Sequence, residues 1–368
     1  MLYLFTVIFG IVIIIALYIN LHPTFGGALS KEDKRKLVQL ENYSNGKFLN
    51  QKDFEMNFSL STAFSFLKDS VGGNKKERKP PVSIPVFEPD WELIKERSNS
   101  LTWFGHSTLL LSVENKKVFL DPVFGSVPSP VTFAGSKRYS EDLLHIIDKL
   151  PLIDAVLITH DHYDHLDYPS IVKLKDKVEH FFVPLGVRAH LQRWGIEADR
   201  ISELNWWEEV HWQGLTIGAV PSQHFSGRGL FNRNSTLWAG WVILGQNLRL
   251  YTSGDGGYGS HFQQIGEKYG PFDLTLMEGG QYDRRWPYVH MMPEQSVRAH
   301  LDVRGRMMML IHWGAFTLAF HRWYEPIERA MAEAQAKDVN IIAPKIGQTI
   351  ILDKNAISPE DQWWKSLS

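Results

Sequence analysis

From Leu101 onward, short apolar runs rich in branched and aromatic residues alternate with helix-patterned segments for about 250 residues, and few folds accommodate that alternation. The runs LTWFGHSTLLLSV and VFLDP, separated by Glu-Asn-Lys-Lys, read as a β-hairpin of two strands. Further strands are expected at AVLIT, HFFVP, LTIGAVPS, STLWAGWVILG, LRLYTSG, DLTLM, MMMLIH and NIIAP. Helical spacing falls between them, at 168–177, 187–194, 259–269, 293–304 and 324–336. Strands interleaved with helices imply sheets covered by helices, an α/β domain. Polar clusters at the strand ends are then the candidate site loops.

The chain begins differently. Met1 to His22, MLYLFTVIFGIVIIIALYINLH, holds no Lys, Arg, Asp or Glu. Roughly 20 apolar residues at about 1.5 Å rise match a hydrocarbon core of about 30 Å. The segment reads as a single-pass membrane anchor over 1–22; a cleaved signal peptide is disfavoured, since a basic leader and a clean small-residue cleavage site are both missing. Lys31, Lys34, Arg35 and Lys36 follow it, which by the positive-inside rule places the large domain in the cytoplasm; an exported domain on an uncleaved anchor is the alternative. Residues 23–98 read as a solvated linker arm with polar runs SKEDKRK and GGNKKERKPP, one amphipathic stretch FEMNFSLSTAFSFLKD, and Pro80, Pro81 and Pro85 in extended backbone. The expected division is anchor 1–22, arm 23–98, main α/β domain 99–352 and tail 353–368.

Composition narrows the chemistry. With 368 residues, 44% of them hydrophobic, the chain can bury a large core. A formal net charge of −2 gives no long-range attraction for polyanions, so no nucleic-acid partner is expected. Cysteine is absent, which excludes disulfides, thiolate nucleophiles and Cys-ligated metals. Metal ligands have to come from the 15 histidines and the carboxylates.

They are concentrated where the AVLIT strand ends, in THDHYDHLD. Neutral imidazole and carboxylate bind zinc and similar metals at about 2.0–2.2 Å, and this loop offers His160, His162, Asp164 and His165. In extended or turning backbone His160 and His162 point the same way and can hold one ion, while Asp164 and His165, past the bend, face a second. Asp161, Asp164 or Asp167 also suits a helix N-cap, a role that accounts for one aspartate and for none of the histidines.

THDHYDHLD resembles the His-x-His-x-Asp-His signature of the metallo-β-lactamase-fold hydrolases. His224 in VPSQHFSGRG, Asp255 in YTSGDGGY and His312 in LIHWGAFTLA resemble that family's remaining ligands. The resemblance implies a four-layer αββα sandwich with two Zn2+ ions, or other divalent metals. One ion would be held by His160, His162 and His224, the other by Asp164, His165 and His312, with Asp255 bridging.

WFGHSTLLL, FLDPVF, the Ser-Gly-Arg-Gly after His224, GPFDLTLMEGGQYDRRW, HMMPEQSVRAHLDV and IHWGAF are similar, more narrowly, to the branch containing N-acyl-phosphatidylethanolamine-hydrolysing phospholipase D. That implies a phospholipid substrate, attack at phosphorus by a hydroxide shared between the metals, release of phosphatidic acid and N-acylethanolamine, and a homodimer. Catalytic roles then fall to Asp164, Asp255 and His290, the last as proton donor or phosphate contact. At Glu278 and Gln281 the chain departs from mammalian members, which carry Pro and Ala there, and Glu278 is expected to alter the pocket. The N-terminal span is a second departure.

Other residues keep two readings. His106 in GHST either approaches the metals or is a hydrogen-bonded core histidine. Asp121 in FLDP either orients a ligand histidine or is a turn aspartate. Gly254, Gly256 and Gly257 let the backbone turn sharply around Asp255, and most of the tryptophans, Trp206, Trp207, Trp363 and Trp364 included, are expected in the core or packed against it. Two rival functions remain: a lactonase or other ester hydrolase using the same centre, and a non-catalytic, membrane-tethered zinc-binding module. Seven ligands for two ions weigh against the latter, because structural zinc is enclosed by four.

Overall fold

The computed structural model describes residues 2–52, 60–72, 75–96, 99–352 and 362–367. A small hairpin of β1 (Tyr43–Ser44) and β2 (Lys47–Phe48) precedes two seven-stranded sheets. The first sheet is built from β3 (Ser100–Trp103), β4 (Leu109–Val113), β5 (Lys116–Leu120), β6 (Ile153–Leu157), β7 (Val178–Pro184) and β8 (Ile201–Leu204) in that order. The second is built from β9 (Glu209–Trp212), β10 (Leu215–Val220), β11 (Gly240–Leu244), β12 (Arg249–Thr252), β13 (Phe272–Glu278), β14 (Gly305–Ile311) and β15 (Asn340–Ile342). The last strand, β16 (Thr349–Ile351), returns to pair antiparallel with β3 and closes the first sheet.

Strand periodicity explains the layering. Leu109, Leu111 and Val113 of β4, Val118 and Leu120 of β5, Ala155 and Leu157 of β6, and Phe182 of β7 face the second sheet and join its Ile217, Trp241, Leu250 and Leu274 in one core. The residues between them, Leu110, Phe119, Val156, Phe181 and Val183, face outward and pack with Ile147, Ile171, Leu174 and Leu191 of covering helices. Helices Pro293–Asp302 and Glu325–Ala336 cover the second sheet, packing Val297, Ala299, Ile327 and Ala330. The result is helix, sheet, sheet, helix, the four-layer sandwich expected.

The run LTWFGHSTLLLSV, expected as a single strand, is two. β3 and β4 pair antiparallel with Trp103 opposite Leu109. Between them Gly105 (φ +87°) and His106 (φ +55°) adopt left-handed backbone, which no strand can contain.

The arm also differs from the solvated tether expected. Leu37, Tyr43, Phe48 and Ile84 are buried in the central core, and Tyr43 and Phe48 meet edge to face at 4.8 Å. Removing such apolar surface from water is worth about 25 cal/mol per Å2, which favours docking over solvation. Leu60–Val71 is helical, while residues 54–59 of the expected amphipathic stretch lie outside the described residues. Of the tail, Trp363 and Trp364 are buried, as are Trp206 and most of the remaining aromatic core; 353–361 lie outside the described residues.

The N-terminal helix Leu2–Leu21 contains a 19-residue apolar stretch long enough to cross a membrane, and most of its described side chains are exposed. Its exit is tied to the domain. The Arg193 guanidinium donates to the carbonyls of Asn20 and Leu21, both at 2.9 Å, and the Trp194 indole donates to Pro23 O at 2.7 Å.

Candidate metal centre

β5, β6 and β7 run parallel, and so do β12, β13 and β14, so the loops that leave their carboxyl ends gather at one edge of the sandwich. His160 follows β6, His224 follows β10, Asp255 follows β12 and His312 follows β14. After β6 the chain turns, with the Leu166 N–H donating to His162 O at 2.8 Å, and the Asp167 side chain caps the helix Tyr168–Leu174. Of the three aspartates that suited a cap, Asp167 takes the role, leaving Asp164 to face the site.

The donor atoms form two adjoining groups. His162 Nδ1 lies 2.9 Å from His160 Nε2 and 3.3 Å from His224 Nε2. Asp164 Oδ2 lies 3.0 Å from His106 Nε2, 3.3 Å from His312 Nε2 and 3.6 Å from His165 Nε2. Asp255 Oδ2 stands between the groups, 2.9 Å from His312 Nε2, 3.1 Å from His165 Nε2, and 3.9 Å from both His160 Nε2 and His224 Nε2. The structure therefore brings together all seven residues singled out as ligands, from four separate loops, and adds His106.

Do these residues fit metal ions? A tetrahedral shell with bonds of about 2.0–2.1 Å separates its donor atoms by about 3.3 Å, close to the spacings seen. Nitrogen and carboxylate oxygen are the donor types that zinc and related ions take. Asp255 Oδ1 and His165 Nε2 are buried without a hydrogen-bond partner among the described residues, a costly condition unless something else satisfies them. The groups can hold metal.

Neighbouring acceptors aim the rings. His165 Nδ1–H donates to Asp121 Oδ2 at 2.7 Å and His224 Nδ1–H to Val289 O at 3.0 Å, which leaves both Nε2 lone pairs facing the centre. Asp121 is thereby an orienting acceptor rather than a turn aspartate. Burial pulls the His165 pKa down, yet the carboxylates of Asp255, Asp164 and Asp121 outweigh it and raise it well above the usual value. His312 behaves likewise and is raised to about 9, so cations entering the centre displace protons. His106, pulled down to about 3 mainly by burial, stays neutral and donates its Nε2–H to the Asp164 carboxylate.

A cavity of about 290 Å3 opens onto the centre, lined by His162, Asp255, Phe225, Trp286, Val289 and His290 among others. Glu278 does not line it. It is fully buried behind the histidines, accepting from Met291 N–H at 2.7 Å, with Oε1 3.4 Å from His290 Nδ1 and Oε2 3.9 Å from His312 Nδ1. The expected alteration of the pocket is therefore indirect. A hollow of about 500 Å3 at the opposite strand ends, lined by Asn99, Asn247, Asp273 and Arg306, gathers no comparable donor set among the described residues.

Supporting residues escaped the sequence. Asp161 is buried, 3.2 Å from His190 Nε2 and accepting from Gly227 N–H at 2.7 Å; burial opposes its ionisation, but these partners hold its carboxyl below the usual range. Arg228 donates at 2.7 Å to Asp161 O and to Leu166 O, clamping both ends of the histidine loop, and at 2.7 Å to Thr24 O of the arm. Asn50 pairs with the His224 backbone in both directions, at 2.8 and 3.1 Å. Arg228 stood four residues from His224 and was legible as a neighbour; Asn50 carried no signal.

Comparison with known proteins agrees with this geometry. The pattern of the β-lactamase superfamily domain matches residues 116–313. An uncharacterised protein of Mycobacterium tuberculosis is 40% identical over 348 residues, 93% of this chain and 92% of its own. The N-acyl-phosphatidylethanolamine-hydrolyzing phospholipase D 1 of Caenorhabditis elegans is 37% identical over 265 residues, 67% of this chain and 74% of its own. Among solved structures, the metallo hydrolase Igni18 of Ignicoccus hospitalis shares the fold with a TM-score of 0.53 and 22% identity, over 68% of this chain and 97% of its own.

Proposed function

Because the chain belongs to the β-lactamase superfamily of metal-dependent hydrolases, we propose that it is a membrane-anchored phosphodiesterase of phospholipase D type. Its substrates are N-acyl-phosphatidylethanolamine-like lipids, and its cofactors two Zn2+ ions. The observation that carries this reading is the place of Asp255 Oδ2, in contact with His165 and His312 on one side and 3.9 Å from His160 and His224 on the other. In this reading His160, His162 and His224 hold one ion, Asp164, His165 and His312 the other, and Asp255 both.

Bound there, the ions supply Lewis acidity, making hydroxide available near neutral pH and neutralising charge on the phosphoryl oxygens. The chain's own groups do the remaining work. Phe225, Trp286, Val289 and Leu318 wall the cavity with apolar surface that excludes water around the phosphodiester. At about 290 Å3 the cavity admits a headgroup and leaves the acyl chains outside. His290 lines the same wall beside the Glu278 carboxylate and is the group that returns a proton to the departing N-acylethanolamine oxygen. The N-terminal helix is the single-pass anchor, with the hydrolase on the cytoplasmic side.

The test combines metal analysis with hydrolysis of a panel: N-acyl-phosphatidylethanolamine, phosphatidylethanolamine, a bis-aryl phosphodiester and a lactone. The expected result is two equivalents of zinc, with phosphatidic acid and N-acylethanolamine as products. His160→Ala and Asp255→Asn lose metal and turnover together, whereas His290→Gln keeps its metal and loses about 100-fold or more in kcat. Turnover of the lactone alone, or full activity in folded Asp255→Asn, sinks the reading.

A further inference from the structure

The edge of the sandwich that holds the metal centre also carries large apolar side chains in open solvent. Phe133 is 90% exposed in the loop after β5, Leu230 and Phe231 are 71% and 97% exposed in the loop after β10, and Leu318 is 39% exposed in the loop after β14. Phe64, 70% exposed, lies on the helix Leu60–Val71, which packs against the same edge through Phe66 on Phe320 at 5.0 Å and through Asp69 on Arg285 at 3.0 Å. Single exposed apolar side chains are ordinary, but several gathered on one edge mark a surface that a partner or a membrane covers.

Around those side chains the segments 127–137, 229–235, 284–292 and 313–322 contain no Asp or Glu and carry exposed Lys137, Arg233 and Arg284, whereas Arg322 and Arg285 are paired with Glu77 and Asp69 at 2.8 and 3.0 Å. An apolar fringe backed by cations matches a surface whose outermost groups are anionic and whose interior is hydrocarbon. The spanning-length helix arrives at the same edge. Tyr18 Oη donates to Pro130 O at 3.1 Å in the Phe133 loop, and Arg228, two residues before Leu230, holds Thr24 O at 2.7 Å.

We propose that Phe64, Phe133, Leu230, Phe231 and Leu318 form a docking rim, backed by Lys137, Arg233 and Arg284, that seats the mouth of the cavity on the phospholipid bilayer its N-terminal helix enters. The proposal rests on the anchoring read above and is independent of which bond the site breaks. A lipid would then reach the centre by rising out of its own leaflet, without crossing water.

The lack of cysteine makes the test direct, since each introduced thiol is unique. The full chain carrying Ile8→Cys, Phe133→Cys, Phe231→Cys, Leu152→Cys or Leu301→Cys is labelled with a small fluorophore and reconstituted into vesicles of phosphatidylethanolamine and phosphatidylglycerol. Leu152 and Leu301 are exposed controls at the opposite strand ends, just ahead of β6 and β14. The expected result is that iodide quenching at positions 133 and 231 falls several-fold between detergent and vesicles, that lipid-borne nitroxide in the vesicles quenches positions 8, 133 and 231, and that 152 and 301 are unchanged by either. If position 8 enters lipid while 133 and 231 stay as accessible as 152, the rim is refuted and the anchor stands; if position 8 also stays in water, both are refuted. Protection at 133 and 231 already in detergent, rising with protein concentration, would assign the face to a second copy of the chain and refute the proposal.

Discussion

Asp121 stands outside the cavity, yet its carboxylate arranges the histidine loop. Oδ1 accepts from Thr159 N–H at 2.8 Å, and Oδ2 accepts from the Thr159 hydroxyl and from His165 Nδ1–H, both at 2.7 Å. With donors on both oxygens, Asp121→Asn has to turn its NH2 group toward one of them and lose that bond. We expect metal affinity to fall about 10- to 100-fold while the fold survives. Chelator competition, with a melting curve as control, checks this, and unchanged affinity would remove Asp121 from the supporting shell. At this scale the donor types were legible in the sequence, because a run such as HDHYDH has few uses besides binding a cation. Glu278 was not legible in the same way. A glutamate in a strand carries no mark that it lies behind His290 and His312 rather than in front of them.

At the scale of elements, the turn from β12 into Asp255 shows how backbone geometry places a ligand. Gly254 has φ +58°, and a Cβ there would meet Ala239 O at 2.6 Å, so both conformation and space require glycine. Gly254→Ala is expected to cost roughly 1–3 kcal/mol and to lower the metal content of purified protein, since the carboxylate moves with the backbone. Denaturant midpoints and metal analysis measure the two effects; wild-type values for both would contradict the strain argument. Interior strands were readable as continuous apolar runs, because both of their faces are buried. In the two large sheets those that escaped, β8, β9 and β16, are edge strands of only three or four residues, too short to stand out as apolar runs. The misread hairpin has another cause: GHS offers no proline or Asn-Gly signal, and the left-handed φ of His106 is imposed by contacts, with His106 N–H donating to Trp313 O at 2.8 Å and His312 N–H to His106 O at 3.1 Å.

For the whole molecule, buried neutral histidines tie stability to pH. Burial pulls His261 down to about 3 and His300 to about 4. The unfolded chain takes up these protons from about pH 6.5 downward, whereas the native chain resists until about 3 and 4. Below about pH 6.5 the unfolded state therefore binds more protons, and stability falls with falling pH by up to roughly 1 kcal/mol per pH unit for each histidine. His261→Leu should flatten the dependence of unfolding free energy between about pH 4.5 and 6.5. An unaltered slope, measured with and without chelator, would dismiss His261 as a contributor. Packing over long sequence distances is also a property of this scale. The sequence by itself determined the strand and helix alternation, the absence of thiol chemistry, the apolar N-terminal helix and the identity of the donor groups, because each is written in local pattern or composition. Only the tertiary structure decided which donors lie together, that His106 joins them, and that an arm read as a tether holds the His224 backbone through Asn50 and meets Arg228 through Thr24. Those contacts depend on where strand ends fall across two packed sheets, and no neighbouring residue records that distance.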